Sequence, residues 1–219
     1  MLAEQIKQSI EKYTINLQQN NLLLVKAQTG QLAQGNVTTY LYNLMYIFQQ
    51  TTFYLSEAAR RSRELGFMNL EKFLLDKIPE ELGHDNWARQ DLETFGIQAP
   101  SVDKSKLLSS TKELVKFVKD LIDEDPRLFL SYMVFVEYFT VLAGPQFLQD
   151  LETKCGIKKT SMTAIGNHEE ADRHHSQEDF KIIDQVPYDT HFIKTLEHTL
   201  EKVFTLVNRT LNQCAVNES

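Results

Sequence analysis

Residues 128–148 read LFLSYMVFVEYFTVLAGPQFL, and how this stretch is taken decides the fold. It is about as long as a helix needs to be to span a bilayer. Yet Glu137 stands at its centre, where a membrane helix would carry a charge at great cost. Gly144 and Pro145 follow near its end, and no second stretch of this kind exists. The reading that fits is the buried core helix of a helical bundle, with no membrane partner.

Working outward, apolar residues recur at three- and four-residue steps, and no stretch alternates with period two. The chain is therefore all-α, and the pattern predicts seven helices. They cover 2–28, 38–65, 70–95 with a break near Pro79, 111–123, 126–148, 161–183 and 188–211. The one long connection is Gly96–Ser110, GIQAPSVDKSKLLSS, in which Ser109 or Ser110 can cap the next helix. Gly66 and Gly96 are natural helix stops. A length of 219 residues suits one domain over 1–219.

Composition excludes several classes. Eight Gly and five Pro are too few for a collagen-like, linker-rich or turn-dense all-β chain. With 23 basic and 30 acidic residues the net charge is -7, so there is no basic footprint for nucleic acid. Two cysteines, Cys155 and Cys214, cannot form a disulfide framework. The opening MLAEQIKQSIEKY has acidic residues and no apolar core of a signal peptide, which predicts a cytoplasmic address.

Three clusters could carry chemistry. Glu137 is the one carboxylate among apolar and aromatic neighbours, where it must be protonated, paired with a cation or bound to a metal. A core glutamate tied to an Arg or Tyr is the plain alternative. On the sixth helix His168, Asp172 and His175 fall at i, i+4 and i+7, the last two within about 40° of the first around the axis. Met162 and Ile165 share that side, so the apolar stripe runs into three potential ligands, although such runs are more often solvated. His174 falls about 120° away and should face elsewhere. The third cluster, Pro79-Glu80-Glu81-Leu82-Gly83-His84, sets a carboxylate and an imidazole on one face through either Glu81 or Glu80, as carboxylate metal sites in bundles require. Acidic residues after a proline at a helix start explain Glu80 and Glu81 equally well, but not His84. Together Glu81, His84, Glu137, His168, Asp172 and His175 offer three carboxylates and three imidazoles on separate helices, about what two divalent irons need.

In these motifs the chain resembles the heme-oxygenase-like di-iron oxidases, and within them the iron-containing redox enzyme and chlamydial CADD-like branch of the fold shared with TenA and PqqC. The shared elements are a Glu/His helix, a Glu in an apolar helix, and His168-x-x-x-Asp172-x-x-His175. The resemblance implies a seven-helix fold, with Glu81, His84, Glu137, His168, Asp172 and His175 holding two Fe(II) ions, or other divalent metals such as Mn. Glu80 is the alternative to Glu81, and Glu57 is a reserve ligand. The implied partners are dioxygen, a small organic substrate and an electron donor, and a homodimer is compatible with this. The implied reaction is C–H or C–C cleavage or N-oxygenation.

Relatives with other chemistry fit less well. No histidine precedes His84 to serve as the proximal ligand of a heme oxygenase. Cys155, beside Gly156, and Cys214, near the end, are poorly placed to be a thiaminase nucleophile. The competing reading from another class is a helical interaction module with a vestigial metal site. Trp87, three positions after His84, could face the metal pocket but is expected in the core, His191 and His198 on a solvated face, and Tyr46, Tyr54, Tyr132 and Tyr138 as core aromatics, as the lining of a substrate cavity or as electron donors.

Overall fold

The periodic apolar stripes fold into nine α-helices among the described residues, which in this computed structural model are 1–98 and 101–216. They are α1 (Leu2–Asn20), α2 (Leu22–Gln28), α3 (Gln34–Glu64), α4 (Met68–Glu81), α5 (Asp85–Thr94), α6 (Ser109–Glu124), α7 (Phe129–Lys154), α8 (Thr163–Gln185) and α9 (Thr190–Val216). The described residues include no strand. The seven predicted helices are all present, and two of them are split.

The first split falls at Asn21, which is fully buried. Its Oδ1 accepts from the Leu23 N–H at 3.0 Å, capping α2, while its Nδ2 donates to the Asn208 carbonyl at 3.0 Å. A side chain that caps and cross-links at once ends one helix and starts another. The second split is not at Pro79, which lies inside α4. The break comes at residues 82–84, where Gly83 adopts φ +89, a conformation an L side chain rarely takes. Ser109 and Ser110 also prove to lie inside α6 rather than at its cap. There the Gln213 Oε1 accepts from the Ser110 hydroxyl at 2.8 Å. Of the connection 96–110, residues 99 and 100 lie outside the described residues.

Helix α7, the stretch that decided the fold, runs on past Gly144 and Pro145 to Lys154. It is the one helix among the described residues long and apolar enough to cross a membrane, and most of its apolar window is buried within the fold. Phe129 through Phe135 are buried without interruption. Its main partner is α8. At Gly144 the two helices are in ordinary contact, and a Cβ there would lie 3.5 Å from the Glu169 side chain. Helices α4 and α5 pack against α8, α2 and α9 against α7, and α1 against both, while α3 packs on α4 and α5.

The start of α8 is set by a residue of α5. The Asp91 carboxylate, 1% exposed, accepts from the Thr163 N–H at 2.9 Å, the Thr163 hydroxyl at 2.7 Å and the Ala164 N–H at 2.8 Å. An anion on these otherwise orphaned donors favours the helix terminus. It also fixes where α8 begins, and with it the direction in which His168 points.

Candidate metal centre

Helices α4, α7 and α8 and the turn between α4 and α5 bring polar groups to one point. Glu81 closes α4 and His84 follows the Gly83 turn, so the two meet across a break between helices rather than on one continuous helical face. Their separation is 3.0 Å from the His84 Nδ1 to the Glu81 Oε2. Helix α7 contributes Glu137, and α8 contributes His168, Asp172 and His175, all three buried. His174 points outward, with its side chain 74% exposed and Glu178 as its neighbour.

Contacts with the protein orient the imidazoles. The His168 Nδ1 lies 2.8 Å from the Ala164 carbonyl, which can only accept, so this nitrogen carries the proton and Nε2 presents its lone pair. That Nε2 lies 3.1 Å from the His84 Nδ1. Phe48 stacks on the His168 ring at 4.3 Å and Trp87 on the His84 ring at 4.1 Å, so aromatic faces hold both planes. A histidine whose second nitrogen is anchored to a carbonyl has the tautomer a metal ligand needs. Burial pushes His168 down to about 4, which keeps the ring neutral near pH 7.

Ligand-type atoms gather in two overlapping groups. Glu81, His84 and His168 form one, and Glu81, Glu137 and His175 form the other, with the atoms of each within 4.8 Å of one another. Glu81 belongs to both. Asp172 belongs to neither, but its Oδ1 lies 3.6 Å from the His175 Nδ1. Glu80, left open as an alternative, is half-exposed and lies 3.2 Å from the other His175 nitrogen, Nε2. It therefore touches the back of a ring whose front faces the cluster. Glu57, the reserve ligand, pairs with Arg60 outside the cluster.

Two charged residues of the cluster escaped the sequence reading. Lys77, 2% exposed, lies one helical turn before Glu81. Its Nζ is 3.6 Å from the Glu137 Oε2 and 3.4 Å from the Asp179 Oδ1. The core partner of Glu137 is thus a lysine, neither an Arg nor a Tyr. Asp179 extends the inward line of α8 four residues beyond His175, a spacing that could have revealed it. Nothing in the local pattern around Lys77 marks it as buried.

The electrostatics are unbalanced. Glu81, Glu137, Asp172 and Asp179 face a single ammonium, and buried like charges raise one another's pKa. Burial first, then the Asp179 charge, pushes Glu137 well above the ordinary carboxylate range. Burial likewise raises Asp179, and it pushes Asp172 up to about 6. Burial would raise Glu81 too, but His84, His168 and His175 outweigh it and hold Glu81 below its usual value. The Lys77 Nζ, Glu137 Oε2, His175 Nδ1 and both Asp179 oxygens are buried with no hydrogen-bond partner. Orphaned donors and acceptors of this kind are costly. Divalent cations among these oxygens and nitrogens would satisfy the acceptors and cancel the excess negative charge, and the mixed carboxylate and imidazole set suits iron or manganese.

A cavity of about 150 Å³ opens from the cluster between α3, α7 and α9. Its wall includes Tyr54 and Tyr132, as the aromatic content allowed, but not Tyr46 or Tyr138. Tyr138 instead donates to Glu11 at 2.9 Å. Cys214 is buried and lines this cavity, a placement its position near the end of the chain did not suggest.

Comparison with known proteins bears on the family and the fold. A family model described as iron-containing redox enzyme matches residues 38–199. No curated protein sequence matches significantly. Among solved structures, the chain resembles a domain with a heme oxygenase-like fold from Shewanella denitrificans, with TM-score 0.86 and 17% identity over 96% of this chain and 90% of that one. It also resembles a TenA homologue from Pseudomonas syringae, with TM-score 0.77 and 13% identity over 98% and 92%. A CADD-like protein from Nostoc punctiforme follows, with TM-score 0.70 and 13% identity over 97% of each chain. At these identities the likeness establishes the heme-oxygenase-like fold.

Proposed function

Because the chain belongs to the family of iron-containing redox enzymes, we propose that it is a non-heme di-iron oxidase that uses dioxygen to oxidise a small organic substrate. The observation that carries this reading is the sharing of Glu81 between two buried groups of ligand atoms. Glu81, His84 and His168 would hold one metal. Glu81, Glu137 and His175 would hold the other, with Asp172 beside His175 as the sixth ligand. Bound iron, or manganese in its place, supplies the activation of dioxygen and the capacity for one-electron steps, with electrons from an external donor. The outcome is C–H or C–C cleavage or oxygenation of nitrogen.

The chain's own residues prepare this chemistry. The Ala164 carbonyl holds the proton of His168 on Nδ1 and leaves Nε2 for the metal. Glu80 stands against the outer nitrogen of His175 and can accept its N–H. Lys77 neutralises part of the acidic surplus on the Glu137 side. The apolar wall of the cavity keeps bulk water from the reacting atoms, so that charges there interact strongly. A cytoplasmic address belongs to this reading, supported by two cysteines that are both unpaired.

The TenA likeness raises a thiaminase-type reading, in which a cysteine attacks the substrate. Cys214 reaches the cavity, but burial pushes its thiol up to about 12, the opposite of what a nucleophile needs. Metal content separates the two readings. Protein loaded anaerobically should hold about two Fe(II) per chain, as carboxylate-bridged sites in helical bundles do, and should consume oxygen on exposure to air. Iron binding no better than that of the His168→Ala variant, with full activity in chelator, would overturn the di-iron assignment.

A further inference from the structure

The cavity beyond the metal cluster differs from it in chemistry. Leu44, Ile47, Leu55, Phe129, Met133 and Leu211 supply much of its wall. Its charged lining groups, Lys77, Glu81, Glu137 and Asp172, all belong to the cluster. A ligand lying along the apolar part would meet no counterion there, and a buried charge without one is strongly disfavoured. The volume, about 150 Å³, matches that of a dry apolar cavity able to take up benzene.

Most polar groups on this wall are already committed. The Thr140 hydroxyl donates to the Val136 carbonyl at 2.8 Å, that of Thr210 to the Leu206 carbonyl at 2.9 Å, and that of Tyr54 to the Val115 carbonyl at 2.8 Å. Asn43 donates to the Thr39 carbonyl at 2.8 Å and accepts from the Leu108 N–H at 3.0 Å. Thr51 bonds back to the Ile47 carbonyl. Two phenols, Tyr40 and Tyr132, line the cavity with no hydrogen bond among the described residues. Tyr40 lies eight residues, about 12 Å along α3, from Phe48, which stacks on His168. Tyr132 is only 8% exposed, and it lines the cavity together with Glu81, Glu137, His168 and Asp172. A hydroxyl on a cavity wall with no protein partner is a handle for a ligand atom.

We infer that the cavity binds a neutral, largely apolar molecule about the size of one substituted aromatic ring, with its single polar atom on the Tyr132 hydroxyl. That this molecule is the substrate rests on the di-iron reading; that it binds does not. Tyr132 acts here as a positioning and specificity residue, fixing which end of an otherwise featureless ligand faces the metals.

The test uses calorimetric titration of the full chain, metal-free, with p-cresol, toluene and benzenesulfonate as probes. The first two should bind and the charged third should not. Tyr132→Phe, which keeps the ring and its packing, should weaken p-cresol by about threefold to tenfold, the range for one lost hydrogen bond. Toluene should stay within about twofold, since it makes no such bond. A purely structural role for Tyr132 would instead weaken both probes alike. That result, an unchanged p-cresol affinity in the variant, binding of benzenesulfonate as tight as toluene, or binding of no probe would each overturn the inference. An iron titration of the same preparation separates the two readings. Iron bound without p-cresol removes this inference alone, and p-cresol bound without iron removes the di-iron reading and leaves the cavity a binding site.

Discussion

Helices α8 and α9 each carry two histidines seven residues apart, yet His168 and His175 are buried while His191 and His198 are exposed. The spacing is identical, so spacing did not decide their fate. On α8 the histidines lie in phase with buried Ala164, Ile165, Ile182 and Ile183. On α9 the buried line is Phe192, Leu196, Thr199, Leu200 and Val203, and each histidine precedes a member of that line by one residue. One residue is about 100° of helical rotation, enough to move an imidazole from the interior to water. The lesson is that a candidate ligand should be judged by its phase against the apolar stripe and by what faces it across the interface.

The largest expected effect would break this comparison outright. His168→Ala and His175→Ala should each cost the loaded protein one of its two metals, whereas His191→Ala and His198→Ala should retain both, by elemental analysis of anaerobically loaded samples. Equal losses from both helices would mean that burial does not mark the ligands. Next in size is the balance that makes the inner face of α8 tolerable. Lys77→Met removes the one ammonium beside Glu137 and Asp179, and should destabilise the metal-free protein by about 3 kcal/mol in urea unfolding. Added Fe(II) should then raise the melting temperature more in this variant than in the wild type, because binding to the native state stabilises by mass action. An effect near zero would show that the carboxylates neutralise themselves by taking up protons.

A smaller change tests what holds α8 in phase. Asp91→Ala deletes three hydrogen bonds to Thr163 and Ala164, a loss of about 2 kcal/mol for a buried helix cap. Metal affinity should fall with it, although Asp91 belongs to neither ligand group. Unchanged affinity would show that α7 packing alone orients the histidines. The smallest effect sharpens the other side of the comparison. His198→Ala should change unfolding stability by no more than about 0.5 kcal/mol, as at surface positions without special contacts.

Much of the site was legible because it is written in helical periodicity, which is a local property. The phase of His168, Asp172 and His175, the outward aim of His174 and the exposure of His191 and His198 all follow from residues within a few turns. Glu137 stood out for the same reason, as a carboxylate with apolar neighbours on every side. Element boundaries were harder. Pro79 looks like the breaker of its helix, yet a helix can pass a proline when packing holds it, and the residue that allowed the turn was Gly83, with its positive φ.

That the chain is all-α, that α7 belongs to a core and which histidines share a face can be read along the chain, because each depends on neighbours within one helix. That Lys77 is the counterion of Glu137, that Asp91 anchors α8, that Glu81 rather than Glu80 faces the cluster and that the Tyr132 hydroxyl is left without a protein partner emerge only when the helices pack. Each of these is a meeting of side chains far apart in the chain, and no local pattern encodes it. Such encounters are selected by the whole packed interior, in which every buried charge or hydroxyl must find a partner from another helix or be left for a ligand to satisfy.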